Sequence, residues 1–275
     1  MAIESRKATP NTNEETLYGR PRDIRPVKYT IATLSIQSAN VDDEGNYECA
    51  VKLSQESLIW ASSELRIYVP PGHPSIDAVK STFVEGEDTT LRCRCNVGKP
   101  AGTLYWSRQR AGYVGYRNVV VGSRSILARR HDDGTSTVVS ELRVRLSAED
   151  DGAVFRCVVR AGEDELFNDK KVTVLYPPKD SKIEFDAVDE RCFCRASGNP
   201  HPSYVWLWFD ADGRKKVVST NQYLDMTSFP GRGLFRFRCI VSNTIRKTQY
   251  TSVLEIRMHV SSMANFTGKD LADNY

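Results

Sequence analysis

Seven cysteines hold most of the chemical potential of this 275-residue chain: Cys49, Cys93, Cys95, Cys157, Cys192, Cys194 and Cys239. Thiols at such positions could ligate a metal, form disulfides or do redox work. Four of them stand as C-x-C, at Cys93/Cys95 and Cys192/Cys194. Zinc sites usually put two residues between paired thiols and add a second pair or histidines. Here the gap is one residue, and the four histidines, His73, His131, His201 and His259, are scattered. The spacing therefore argues against a metal. The acidic pairs Asp42-Asp43, Asp132-Asp133 and Asp150-Asp151 read as turn residues rather than acid–base machinery. Arg129-Arg130 and Lys215-Lys216 read as solvated faces. No G-x-S-x-G, Gly-rich phosphate loop, H-E-x-x-H or kinase set occurs. The expectation is a protein that is not an enzyme and needs no cofactor.

The elements that must position these thiols read as strands. In a strand, residues i and i+2 point to one face, so both members of each C-x-C can point into a core. Alternation recurs along the chain. TIATLSIQ puts Thr30, Ala32, Leu34 and Ile36 on one side, and SELRVRLS alternates Leu142, Val144 and Leu146 with Arg143 and Arg145. RKTQYTSVLEIRMHV reads as a final strand, and no helical stripe is convincing. Prolines in YVPPGHP and LYPPKD should stop the ladder and stiffen two junctions. They divide the chain into 1–69, 70–176 and 177–260, with a polar tail over 261–275. RKATPNTNEETLYGRPRDIRP, near the N-terminus, is polar and reads as loop or disorder. With 38 basic and 35 acidic residues the net charge is +3, which sets aside a strongly basic nucleic-acid binder. There is no run of about 18 apolar residues to cross a bilayer, and no apolar leader at the N-terminus.

Around the cysteines the sequence resembles the immunoglobulin superfamily. CRASGNPHPSYVW, from Cys194 to Trp206, resembles the family's B–C stretch, and VEGEDTTLRC, ending at Cys93, resembles its A′–B stretch. Trp106 and Trp206 each follow a cysteine by about a dozen residues, and Cys157 and Cys239 close the two intervals. In that family the disulfide joins two sheets and the tryptophan packs on it. The resemblance implies an all-β chain of tandem immunoglobulin-like sandwiches, with Cys194 bonded to Cys239. It also implies a bond from Cys157 to Cys93, with Cys95 as the competitor; parity does not choose between them. SIQSANVDDEGNYEC carries the family's tyrosine corner as Asp43, Gly45, Tyr47 and Cys49. The second segment keeps Asp151 but has Ala153 for glycine and Phe155 for tyrosine; the third has Phe237 at the corner. Segment 1–69 lacks a cysteine or tryptophan before its corner. It therefore reads as the latter half of a domain, from strand D or E to G, beside two complete ones. Cys49 is then an orphan, and Cys95 and Cys192 are extra thiols that act as small core hydrophobes, the alternatives being shuffled disulfides or redox chemistry.

Disulfides persist in oxidising compartments, so the resemblance implies an extracellular or cell-surface location, with signal peptide and anchor outside this sequence. The tandem arrangement resembles nectin-like and nephrin-type adhesion molecules. That implies a protein partner, homophilic or heterophilic, with no nucleic acid and no membrane span in the chain. The alternatives are a secreted matrix array or the ectodomain of a receptor enzyme. Asn265-Phe266-Thr267 is a glycosylation sequon, so the chain reads as a glycoprotein. Trp60, with Leu53, Leu58 and Ile59, either forms an apolar contact patch or completes a core. Tyr113, Tyr116 and Arg117 are residue types found at binding hot spots, and could equally be ordinary sheet-face residues.

Overall fold

A computed structural model describes residues 11–17, 27–52, 58–77, 80–210, 212–229 and 233–260. The chain is nearly all β. Its strands are β1 Asn11–Leu17, β2 Val27–Thr33, β3 Gly45–Lys52, β4 Leu58–Leu65, β5 Ser75–Asp77, β6 Thr82–Val84, β7 Asp88–Asn96, β8 Thr103–Gln109, β9 Arg117–Asn118 and β10 Ser123–Arg130. There follow β11 Ser136–Arg145, β12 Val154–Ala161, β13 Asp164–Lys171, β14 Thr173–Asp186, β15 Arg191–Asn199, β16 Ser203–Phe209, β17 Lys215–Ser219, β18 Tyr223–Asp225, β19 Gly233–Ile245 and β20 Thr248–Val260. Three short 3-10 turns, at Val41–Asp43, Ala148–Asp150 and Met226–Ser228, are the helical elements among the described residues.

Residues of the middle segment form two four-stranded sheets, ordered β10-β11-β7-β5 and β13-β12-β8-β9. Between them lies a core that includes Leu91, Cys93, Trp106, Leu142, Phe155 and Val159. Alternation along β7 accounts for this: Leu91, Cys93 and Cys95 are buried while Arg92 and Arg94 are exposed. The third segment repeats the plan with β18-β15-β14 facing β17-β16-β19-β20, around a core that includes Cys194, Trp206, Leu224 and Phe237. The long β19–β20 hairpin turns on two residues, Arg246 and Lys247, both at positive φ. Such a turn suits the right-handed twist of its strands.

Three expectations change. The prolines of LYPPKD do not stop the strand; β14 runs through Pro177 and Pro178. It changes partner there. Thr173–Leu175 pairs in parallel with Thr82–Val84 of β6, and pairing with β15 begins at Tyr176 opposite Asn199, with shifted register up to Lys182. The prolines thus sit where the ladder is irregular and fewer N–H donors are required. Second, part of the stretch read as loop forms β1, antiparallel to β2 from Asn11 opposite Thr33 to Leu17 opposite Val27. Pairing with the edge of β2 outweighs the polar composition. Third, the TIATLSIQ strand ends at Thr33, the residue opposite Asn11 of β1, and Ser38 turns the chain at positive φ.

Both junctions are stitched by hydrogen bonds. At the first, Val69 N donates to Lys99 O at 2.8 Å and Lys99 N returns a bond to Val69 O at 2.9 Å. Gly98, at φ 75°, allows this approach; a Cβ there would lie 2.5 Å from Val69 O. The Lys99 ammonium also pairs with Glu44 in the first segment. At the second, Asn199 Nδ2 donates to Val174 O at 3.0 Å. Asn243 Nδ2 donates to both Tyr176 O and Pro200 O at 2.9 Å. Lys179 Nζ meets Glu85 at 2.6 Å.

Asn243 is buried, so truncation would remove both of its hydrogen bonds, to Tyr176 O and Pro200 O, that tie the junction together. Asn243→Ala is expected to lower the unfolding free energy by about 1–3 kcal/mol. A denaturant titration of wild type against variant measures this.

Candidate functional site

The two inter-sheet bonds set the geometry of everything around them. Cys93 of β7 is bonded to Cys157 of β12, and Cys194 of β15 to Cys239 of β19. Trp106 stands opposite Cys157 across β8–β12, and Trp206 opposite Cys239 across β16–β19. All six side chains are fully buried. Cys95 lies two residues beyond Cys93 on the same face, where its thiol donates to Gly72 O at 3.2 Å. Burial pushes that thiol up to about 11. Cys192 sits with its Sγ 3.4 Å from Met258 Sδ, and burial pushes it up to about 12. Both stay protonated at neutral pH, so neither offers the thiolate that redox or metal chemistry needs. Cys49 of β3 is free and exposed. Among the described residues no cluster of His, Cys, Asp or Glu could hold a metal ion.

The corners differ among segments. Tyr47 Oη donates to Asp43 O at 2.6 Å, and Asp43 Oδ2 accepts from Asn40 N at 2.8 Å. Gly45, between them, opens β3. In the middle segment Phe155 is fully buried and brings no hydroxyl. The acids take over. Asp151 Oδ1 accepts from Val174 N at 2.9 Å, tying the turn to β14. Asp150, one residue earlier, is buried and accepts from Ser147 N at 3.1 Å and from Arg108 Nη1 at 2.9 Å. Sequence reasoning passed over Asp150 as a turn residue; the arginine facing it from β8 is visible only in three dimensions. Phe237 packs edge-on against Phe229, with ring centroids 5.0 Å apart.

With Cys157 turned inward, its neighbours on β12 must face out. Arg156 does so, and its guanidinium lies 3.9 Å from the Tyr116 ring centroid and 3.6 Å from that of Phe167. Asp169, opposite Arg156 on β13, takes Nε at 2.7 Å and Nη2 at 2.8 Å. Tyr116 Oη donates to the same carboxylate at 3.3 Å. Desolvation first, then the Asp169 charge, raises the Tyr116 phenol above its usual range. The result is a preassembled amphipathic cluster on the outer face of β13-β12-β8-β9. Phe167 is 47% exposed. Arg156, Phe167 and Asp169 went unremarked in the sequence, although the parity about Cys157 points them outward.

Tyr113 and Arg117 are separated from Tyr116. They line a groove of about 470 Å³ at the edge of the same sheet, with Arg108, Arg110 and Val119–Val121. Tyr113, Val114, Val120 and Val121 are all strongly exposed there. On the first segment, Trp60 stands opposite Ala50 and Ala61 stands opposite Cys49. Trp60 therefore lies on the face away from Cys49, and it is 62% exposed. The side chains of Leu58 and Ile59 are not among those described, and Leu53 and the Asn265 sequon lie outside the described residues.

A family profile for the CD80-like C2-set immunoglobulin domain matches residues 74–166. Human cell adhesion molecule 1 is 27% identical over 271 residues, covering 90% of this chain and 57% of that protein. Mouse cell adhesion molecule 3 is 30% identical over 216 residues, 72% of this chain and 52% of the relative. Human nectin-2 is 24% identical over 238 residues, 82% of this chain and 42% of the relative. The chain thus spans about half the length of the curated relatives it matches. Among solved structures, the ectodomain (Ig1–Ig3) of mouse nectin-like molecule 4 superposes with a TM-score of 0.51 at 18% identity, covering 88% of this chain and 80% of the other. The fold is therefore that of tandem immunoglobulin-like domains. The relatives named are adhesion molecules of that type, and they indicate no catalytic family.

The thiol environments give a countable outcome. Iodoacetamide at pH 8 should alkylate native protein once, at Cys49. Unfolding without reductant should raise the count to three, and reduction to seven. Native labelling at Cys95 or Cys192, read by peptide mass, would contradict the burial described above.

Proposed function

We propose that this chain is part of a cell-surface adhesion or recognition ectodomain that binds a protein partner. The observation carrying this reading is the cluster at Arg156. An arginine held flat between Tyr116 and Phe167 and locked by Asp169 is rigid before any partner arrives. Little side-chain entropy remains to be lost on docking, which is what anchors at interface centres require. The likeness to cell adhesion molecules and nectins supports the same reading.

The domain reading belongs to the proposal. Two complete modules over 70–176 and 177–260 follow the latter half of another over 1–69, with a polar tail over 261–275. The two separate cores and the change of partner along β14 support these boundaries. Trp60 extends the contact surface onto the first segment. Its place on the face away from Cys49 supports contact with a partner over completion of a core. The extracellular location rests on the two buried inter-sheet disulfides.

Beads coated with the chain should aggregate with one another if the contact is homophilic. If it is heterophilic they should adhere only to cells displaying a relative of the cell adhesion molecule or nectin type. Failure of both would overturn the adhesion reading. Arg156→Ala combined with Phe167→Ala is expected to weaken whichever contact is seen by tenfold or more, because the arginine and one of its two ring partners are lost. An unchanged thermal midpoint would assign that loss to the surface rather than to the fold.

A further inference from the structure

The outer face of the β10-β11-β7-β5 sheet takes no part in the surface above. Strand register decides which side chains share it. Leu91 and Cys93 of β7 and Leu142 of β11 point into the core. The opposite face therefore carries Arg92 and Arg94 from β7 and Arg143 from β11. Edge strand β10 adds Arg124, opposite Glu141, and Arg129, opposite Thr137. The second of these depends on a bulge. The β10–β11 register shifts between Leu127 and Arg129, where one extra residue, Ala128, is accommodated. Without it, Arg129 would point to the same side as Leu127. Bulges commonly re-aim a side chain in this way.

All five arginines are exposed. Glu141 is taken by Arg92, which gives it Nε at 3.1 Å and Nη2 at 2.8 Å. Arg94, Arg124, Arg129 and Arg143 have no carboxylate within ion-pair distance among the described residues. Apart from Glu141, the acids on the face are Asp77, at the β5 end, and Asp88, at the start of β7 opposite Arg145. With strands about 4.8 Å apart and about 3.3 Å per residue, these groups cover roughly 10 Å by 20 Å of a flat sheet.

We propose that this face binds a sulfated polysaccharide. Guanidinium forks match the paired oxygens of a sulfate ester, and here they are spread along a surface instead of gathered in an enclosed pocket. A linear chain with repeated anionic groups fits that layout; a single small anion does not. Choosing a sulfated glycan over other polyanions rests on the extracellular reading above.

The test uses the full chain and immobilised heparin in 0.15 M salt. Wild type should bind, with affinity falling as salt rises. R94Q/R124Q/R129Q/R143Q should lose at least tenfold, and K215Q/K216Q, on the third segment, should be unchanged. Desulfated heparin should bind poorly. If the quadruple variant misfolds by circular dichroism, the four single variants should each lose about twofold to fivefold. The proposal falls if wild type does not bind or if the arginine variants bind like wild type. It also falls if polyglutamate or phosphatidylserine vesicles compete as well as heparin at equal charge. The R156A/F167A variant should keep heparin binding. Heparin binding without bead or cell adhesion would sink the adhesion reading alone, and adhesion without heparin binding would sink this one alone.

Discussion

A sulfur–sulfur bond between two facing sheets, with an indole beside it, is the constraint on which the rest of the molecule depends. Each bridge closes a long loop and contributes about 2–4 kcal/mol. Its larger consequence is orientation. Once Cys93 and Cys157 point at each other, strands β7 and β12 have no freedom of register, because a slip of one residue would turn every core side chain to solvent. Trp106 and Trp206, each opposite the second cysteine of its pair, repeat that arrangement in both cores.

The outward faces inherit their order from this inward one. Arg156 is next to Cys157, so it must face away from the core, with Asp169 opposite it on β13 and Phe167 two residues along the same face. Arg92 and Arg94 flank Cys93 in the same manner on the other sheet. The two outer faces of the middle segment thus differ in chemistry. One presents an arginine already satisfied by two rings and a carboxylate. The other presents Arg92 paired with Glu141 and four further arginines without an ion-pair partner among the described residues. A satisfied, rigid cluster suits a shaped protein partner, while unpaired charges spread over a flat sheet suit a polyanion.

Much of this was legible from residue types. The all-β class, the Cys–Trp–Cys intervals, the tyrosine corner at Tyr47 and the alternation of SELRVRLS are local patterns, and local patterns survive translation into a string. The competition between Cys93 and Cys95 for Cys157 was not legible, since both lie on one face of β7 and only the height of the facing strand separates them. Asp150 looked like one more turn residue until Arg108 was seen reaching it from a strand some forty positions earlier. The prolines of LYPPKD cannot donate hydrogen bonds, which by itself predicts the end of a strand. What mattered was that β14 changes partner at that point.

By itself, the sequence determined what is periodic or covalent: which residues point inward, which thiols are available, and where the chain turns. Side-chain alternation and cysteine spacing belong to the chain before it folds. Only the tertiary structure decided which thiols meet, which side of β3–β4 Trp60 occupies, and that a bulge at Ala128 carries Arg129 across to the face of Arg124. Those outcomes depend on how strands are set beside one another. Register is a relation between distant segments, and no single segment contains it.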